Sequence, residues 1–549
     1  MPLQTRRSFL TGACAAAALS AQKTRPPNVL LIMSDDQGYG DLSLHGNSHL
    51  QTPNLDSIGR QGVQFTQFHV SPVCSPTRAS LLTGRYNYRT GVVDTYLGRS
   101  MMHSEEVTLP EVMSRAGYRT GIFGKWHLGD NYPLRSIDQG FQQSLVHTGG
   151  GLAQPAGPPG NGYFDPILSR NGRSERHKGY CTDIFTSAAV EFMEQNRSRP
   201  FFAYLATNAP HTPLEIDERY VEPFRKAGLD DVTAKVYGMV ANLDENAGRL
   251  LDSLRKFELE GDTIVVFLTD NGPQQRRYNT GMRGLKGSVY EGGIRVPCFV
   301  RWPGRIEAGT KVDRIAAHID LMPTLLDWCG VRNPDLKLDG RSLGPLVNVE
   351  PATWPDRTLY FQWHRGDEPQ PFRASAALQQ RYKLVDGKEL YDLERDPEES
   401  TDIASQHPNV VAGMRKGYED WFRDVSSTRG YAPPRIHAGT KHENPVTLTR
   451  QDWRGPRAGW TEESLGHWEV DVRSGGRYRV TLRMPPSAAS GEARFSLNGT
   501  SITQTFSAGA SEVRFDEVKL RRGSGRLEAI LVQASNEIGP HYVDLEKLG

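Results

Sequence analysis

Val29-Leu30-Leu31-Ile32-Met33-Ser34-Asp35-Asp36-Gln37-Gly38 opens on five consecutive apolar residues and runs into two adjacent carboxylates. An apolar run without alternation predicts a strand covered on both faces, as in a parallel sheet between layers of helices. Residues 121–123, 201–205 and 263–268 repeat the pattern, and 236–254 carries Met239, Leu243, Leu250 and Leu254 at helical spacing. Short strands alternating with longer helices predict a three-layer α/β domain over 27–346. The Gly- and Pro-rich stretch 149–162 predicts a long loop near the mouth of a site.

The acids follow from the same reading. The run 263–268 leads into Thr269-Asp270-Asn271-Gly272 as 29–33 leads into Asp35 and Asp36. In a parallel α/β sheet, ligands gather outside the carboxyl ends of the strands. Three carboxylates and an amide oxygen brought together there repel unless a cation holds them, and oxygen ligands favour calcium or magnesium over zinc. Taken singly, each pair serves as well for a helix cap or a turn. Their placement after two buried strands is what favours a metal.

A third group is Cys74-Ser75-Pro76-Thr77-Arg78-Ala79-Ser80-Leu81-Leu82-Thr83-Gly84-Arg85. Ser75 as cap and Pro76 in the first turn predict a helix with Cys74 at its N-terminus, where free N–H groups favour an anion. A thiolate phosphatase needs Cys-x5-Arg, but the sixth residue on is Ser80, so that reading fails. A buried structural cysteine and a cysteine oxidised to formylglycine remain, and the whole twelve-residue context matches the second.

This segment resembles the signature of type I, formylglycine-dependent sulfatases, arylsulfatase-like members of the alkaline phosphatase superfamily. Gly117-Tyr118-Arg119-Thr120-Gly121-Ile122-Phe123-Gly124-Lys125-Trp126-His127-Leu128-Gly129 resembles their second signature. Asn208-Ala209-Pro210-His211-Thr212-Pro213, Asp270-Asn271-Gly272 and Lys286-Gly287-Ser288-Val289-Tyr290-Glu291 continue the likeness, which reaches about residue 425. The resemblance implies an alkaline-phosphatase-like α/β fold and calcium, with magnesium as the alternative, held by Asp35, Asp36, Cys74, Asp270 and Asn271. It also implies Cys74 converted to 3-oxoalanine (formylglycine) by a formylglycine-generating enzyme, with Arg78, Lys125, His127, His211 and Lys286 around it. In that scheme Lys125 and Lys286 stabilise charge on the sulfate. His211 protonates the leaving oxygen, and His127 takes the proton that releases sulfate.

The remainder of the chain sets bounds. Lys+Arg of 65 against Asp+Glu of 64 gives no basic field for nucleic acid. Thr5-Arg6-Arg7-Ser8-Phe9-Leu10 and the short run 11–20 predict a twin-arginine (Tat) signal peptide over 1–21 and no stable membrane insertion. The expected location is therefore periplasmic or extracellular, reached through the Tat translocon. Cys181, Cys298 and Cys329, scattered and without a Cys-x-x-Cys, indicate neither zinc nor a disulfide framework. A smaller α+β subdomain is expected over 347–429 and a linker over 430–445. An all-β sandwich over 446–549 completes the chain, like a carbohydrate-binding jelly roll by pattern alone. Trp453, Trp460 and Trp468 either stack on sugars or pack its core, and Phe361 to Arg365 either line a subsite or serve structure.

The expected activity is sulfuric ester hydrolysis on a sulfated carbohydrate or aryl sulfate. Two alternatives share these residues: phosphonate or phosphate diester hydrolysis at the same site, and non-catalytic glycan binding.

Overall fold

Asn28–Ser34 is covered on both faces, as its uniform apolarity predicts: Val29, Leu31 and Met33 face one hydrophobic cluster and Leu30 and Ile32 another. The computed structural model describes residues 25–333, 336–347, 354–533 and 536–549, so the expected leader at 1–21 lies outside the described residues. Asn28–Ser34 pairs in parallel with Phe201–Ala206 on one side and Thr263–Thr269 on the other. Arg119–Lys125 and Gln143–His147 extend the parallel set beyond Phe201–Ala206. Cys298–Arg301 joins the other flank antiparallel to Thr263–Thr269, and among the described residues the sheet has ten strands.

Helices cover both faces. Cys181–Gln195 and Asp231–Lys256 bury their apolar sides in the cluster containing Leu30, and Cys74–Thr83 and Leu321–Trp328 in that containing Val29. This is the three-layer α/β arrangement expected. Cys298 is a fully buried core residue. Register then aligns the strand ends. Ser34 pairs with Thr269, Met33 with Ala206, Gly124 with Ala206, and Lys125 with His147. The segments that leave these strands at their carboxyl ends therefore emerge along one rim of the sheet.

Two smaller units come next in the chain. Leu359–Gln362, Ser375–Leu378, Tyr382–Val385 and Glu389–Asp392 form an antiparallel sheet against which Pro408–Ser426 packs. The C-terminal part is a sandwich of two sheets whose strands, such as Leu465–Val472, alternate buried and less buried positions. Residues 430–445, expected as a linker, instead contribute the strand Ile436–Ala438, parallel to Leu465–Val472. Its three-residue length in a Pro- and Gly-rich stretch hides it from periodicity.

The sandwich is not a free appendage. Its core, built on Trp453 and Trp468, also takes in Leu97, Met101 and Leu134 from the α/β unit. Glu443 accepts hydrogen bonds from Asn131 and the Tyr132 backbone at 3.2 and 2.7 Å, and Tyr542 donates to the Gly157 carbonyl at 2.6 Å. Among the described residues no helix is long and apolar enough to cross a membrane.

Candidate active site

The strand ends and the segments beside them bring together the residues expected around residue 74 and the metal. Asp35 and Asp36 follow Ser34, Asp270 and Asn271 follow Thr269, Lys125 ends its strand, and His127 comes two residues later. His211 stands beyond Phe201–Ala206 in a loop with cis bonds before Pro210 and Pro213. Cys74 begins the helix Cys74–Thr83, one turn before Arg78. The expected cap shifts by two residues: Val73 occupies the capping position, and the Ser75 hydroxyl has no partner.

Each acid is tied to its own cation. Lys125 Nζ lies 2.6 Å from Asp35 Oδ2, Lys286 Nζ 2.6 Å from Asp36 Oδ1, and Arg78 Nη2 2.7 Å from Asp270 Oδ2. Arg78 also donates to the Lys125 carbonyl at 3.0 Å, tying two strand ends to the helix. Asp35, Asp36, Cys74, Arg78, Lys125, Asp270 and Asn271 are all buried. Lys286, whose side chain keeps 16% exposure, marks the mouth.

The donor set fits a hard cation. Asp35 Oδ1, Asp36 Oδ2 and Asn271 Oδ1 are buried without a hydrogen-bond partner. Ligand atoms of Asp35, Cys74 and Asp270 lie within 4.8 Å of one another, as do those of Asp35, Asp36 and His211. Unpartnered buried carboxylate oxygens are costly, and a cation among them removes the cost. Burial, with Asp270 adding, pushes Asp35 up to about 8 against the pull of Lys125. Burial would raise Asp36 as well, but Lys286, His211 and Lys125 hold it below the ordinary carboxylate range.

Cys74 Sγ lies 3.4 Å from His127 Nδ1. His127 Nε2 donates to the Thr95 carbonyl at 2.7 Å, so Nδ1 is the bare, accepting nitrogen on the Cys74 side. Burial and the neighbouring Lys125 hold His127 well below the usual imidazole range, hence neutral. Burial and Lys286 bring His211 to about 3, and its Nδ1 bonds the Thr212 carbonyl at 2.6 Å. Burial also raises the Cys74 thiol, against Lys125 and Lys286, which makes it a poor thiolate. His127 and Asp36 both hold left-handed backbone, φ 60° and 63°, a strain that clusters at functional sites.

Three further groups stand here that no motif singles out as residues, although one lies in the loop expected at the mouth. The Thr95 carbonyl sits in an irregular loop. Gln451, from the sandwich, donates to that same carbonyl at 2.9 Å and to Ser100 Oγ at 3.2 Å, and its own carbonyl accepts from Gly98 N–H. Gln154 lies in the 149–162 loop, and a Cβ on Gly150 would meet both Gln154 Oε1 at 3.1 Å and the His127 ring at 2.7 Å. Only glycine lets that loop pass so close. Of the three tryptophans, Trp453 and Trp468 are fully buried core and Trp460 is half-buried. Phe361 is core, whereas Trp363 touches the loop after Lys286, its ring 2.8 Å from where a Cβ on Gly287 would stand.

Comparison with known proteins adds a second line. The Sulfatase family model matches residues 27–331, and N-sulphoglucosamine sulphohydrolase, C-terminal, matches 285–421. The chain is similar to arylsulfatase A of Homo sapiens, 30% identical over 470 residues, 79% of this chain and 89% of that one. It is also similar to N-acetylgalactosamine-6-sulfatase of Homo sapiens, 32% identical over 376 residues, 62% of this chain and 69% of the other. The crystal structure of Ps i-CgsB in complex with k-i-k-neocarrahexaose matches with a TM-score of 0.67 at 28% identity, over 74% of this chain and 95% of that chain.

Proposed function

The chain belongs to the sulfatase family of sulfuric ester hydrolases, and from that premise we propose that it cleaves sulfate from a sulfated carbohydrate, using an oxidised Cys74 beside a divalent metal. The observation that carries the reading is the set of unpartnered oxygens on Asp35, Asp36 and Asn271 beside Cys74. Asp35, Asp36, Asp270 and Asn271 would hold calcium, with magnesium as the alternative, and residue 74 would complete the shell. That cation would supply Lewis acidity toward a sulfate oxygen, and formylglycine at 74 would supply a hydroxyl nucleophile once hydrated.

The chain's own side chains account for the rest. Lys125 and Lys286, already neutralising Asp35 and Asp36, face charge that builds on sulfate oxygens in a water-poor pocket. His127, neutral and with Nδ1 bare toward residue 74, accepts a proton there, and the Thr95 carbonyl fixes its tautomer. His211 is neutral beside Lys286, and an anionic sulfate would raise it toward the protonated form that a leaving oxygen needs. Arg78 orients Asp270 and the Lys125 strand end.

Sulfated carbohydrate as substrate draws support from the glycan-directed relatives, among them an N-acetylgalactosamine-6-sulfatase. Export by the Tat translocon rests on Arg6 and Arg7 of the leader, and conversion of Cys74 by a formylglycine-generating enzyme on its sequence context. The test is a desulfation screen against defined sulfated saccharides, with oxidation of residue 74 verified by mass. Verified protein that releases no sulfate from any of them would sink the reading.

A further inference from the structure

The sandwich and the 149–162 loop enclose a cleft of about 310 Å³, at the lower end of the range for small-ligand sites. The sandwich, with strands over 436–547, lies beyond both family matches, which end at 331 and 421. Gln154 and Asn161 line the cleft from the loop, and Arg450, Trp460, His541 and Tyr542 from the sandwich.

Gln154 joins this cleft to the catalytic centre. A Cβ on Gly151 would lie 3.2 Å from its Nε2 and 3.4 Å from the His211 ring, and the Gly150 geometry sets its Oε1 beside His127. Among the described residues the Gln154 side chain makes no hydrogen bond within the protein, although it is half-buried. A sugar bound in the cleft would therefore sit next to one bound over Cys74.

The lining chemistry names the ligand class. Trp460, half-buried and edge-on to Tyr96 at 5.2 Å between ring centroids, supplies an aromatic surface. Its indole N–H is unpartnered. Arg450 is 2% exposed and forms no ion pair among the described residues. Its guanidinium is fixed instead by the carbonyls of Pro540, Thr461 and Gly539 at 3.2, 2.6 and 2.7 Å. Glu462 lies near this guanidinium and 3.4 Å from His541, so a carboxylate of the protein already balances the cation, and Arg450 serves to hold the cleft wall. Tyr542, through its bond to Gly157, holds the loop wall to the sandwich.

We propose that this cleft is a saccharide subsite, which takes the sugar unit next to the one being desulfated. The proposal rests on the sulfatase reading, and its test separates the two. Full-length protein oxidised at residue 74 is assayed on 4-nitrophenyl sulfate and on the tetrasaccharide it desulfates fastest among chondroitin-, heparan- and carrageenan-derived ones. Trp460→Ala is expected to lower kcat/KM on the tetrasaccharide about tenfold, the scale of one aromatic contact, and to leave the aryl sulfate within about twofold. Equal losses on both substrates, or no loss on either, would overturn the subsite. Trp460→Phe keeps an aromatic face and should retain at least about half the tetrasaccharide rate; a loss as deep as that of alanine also overturns it. Calorimetric titration of Cys74→Ala protein with the same tetrasaccharide reads the cleft without turnover. Binding there that Trp460→Ala weakens supports the subsite, and binding indifferent to Trp460 overturns it. Absence of all sulfatase turnover by verified wild-type protein fails the functional reading instead.

Discussion

His127 and Gln451 donate to one carbonyl oxygen, that of Thr95, at 2.7 and 2.9 Å, although they come from different parts of the chain. The shared acceptor fixes which ring nitrogen of His127 faces residue 74, and Gln451 fixes the acceptor. The sandwich thus reaches His127 through two hydrogen bonds.

Gln451→Leu removes a donor from Thr95 without touching the pocket. The expected outcome is a fall in kcat of about fivefold, the worth of one hydrogen bond of about 1 kcal/mol, with KM little changed. Gln451→Glu offers Thr95 an acceptor in place of a donor and should do no better. Steady-state kinetics decide it, and a pure KM effect would refute the positioning role.

Cys74→Ala should abolish turnover while leaving the circular dichroism spectrum and thermal midpoint near those of the parent. The side chain starts a buried helix but fills little volume. Activity near that of the wild type would exclude residue 74 as the nucleophile.

Calcium at about 100 times its Kd is expected to raise the unfolding free energy by about 2.7 kcal/mol. Asp270→Asn should lose most of that gain, since its ligand atom lies in the Asp35 and Cys74 group. Thermal melts with calcium, with magnesium and after chelation test this. Identical midpoints in all three would remove the metal from the site.

Stability should fall as pH rises across the sandwich contact. Asp452 is 2% exposed with both carboxylate oxygens unpartnered, and burial, with Asp130 adding, pushes it well above the usual carboxylate range. Burial brings Asp130 up to about 7, against its Gly149 N–H bond. The folded protein holds protons that the unfolded chain releases near 3.8. Their stabilisation is therefore complete below about 4 and is lost as pH rises through about 7 for Asp130, and later for Asp452. Asp452→Asn should flatten that decline in melts between about pH 5 and pH 9. An unchanged slope would assign the dependence elsewhere.

The legible part of this molecule was local. Asp35 and Asp270 could be placed because each directly follows a run of buried residues, and a parallel sheet sends such runs to one rim. Cys74 and His127 came from motifs that occupy consecutive positions. Thr95 offered no such signal, because its contribution is a backbone oxygen, which any residue supplies. Gln451 is equally silent, since an amide in a loop has neither periodicity nor a fixed partner in sequence. For Gln154 the composition marks the loop at the mouth but not the amide itself. The tryptophans show the same limit. Trp468 alternates with Val470 and Val472 toward the core, whereas Trp460 needs the docking of two units before its surroundings exist.

Leu97, Met101 and Leu134 lie early in the chain, yet their apolar cover is the sandwich core. Synthesis runs from the N-terminus, and 356 positions separate Thr95 from Gln451. A nascent chain therefore carries its strand ends, its acids and Cys74 long before the last wall around them is made. Chains released short of the sandwich would bear a greasy patch beside an unfinished pocket, a mark by which proteases and chaperones can tell them from full-length product.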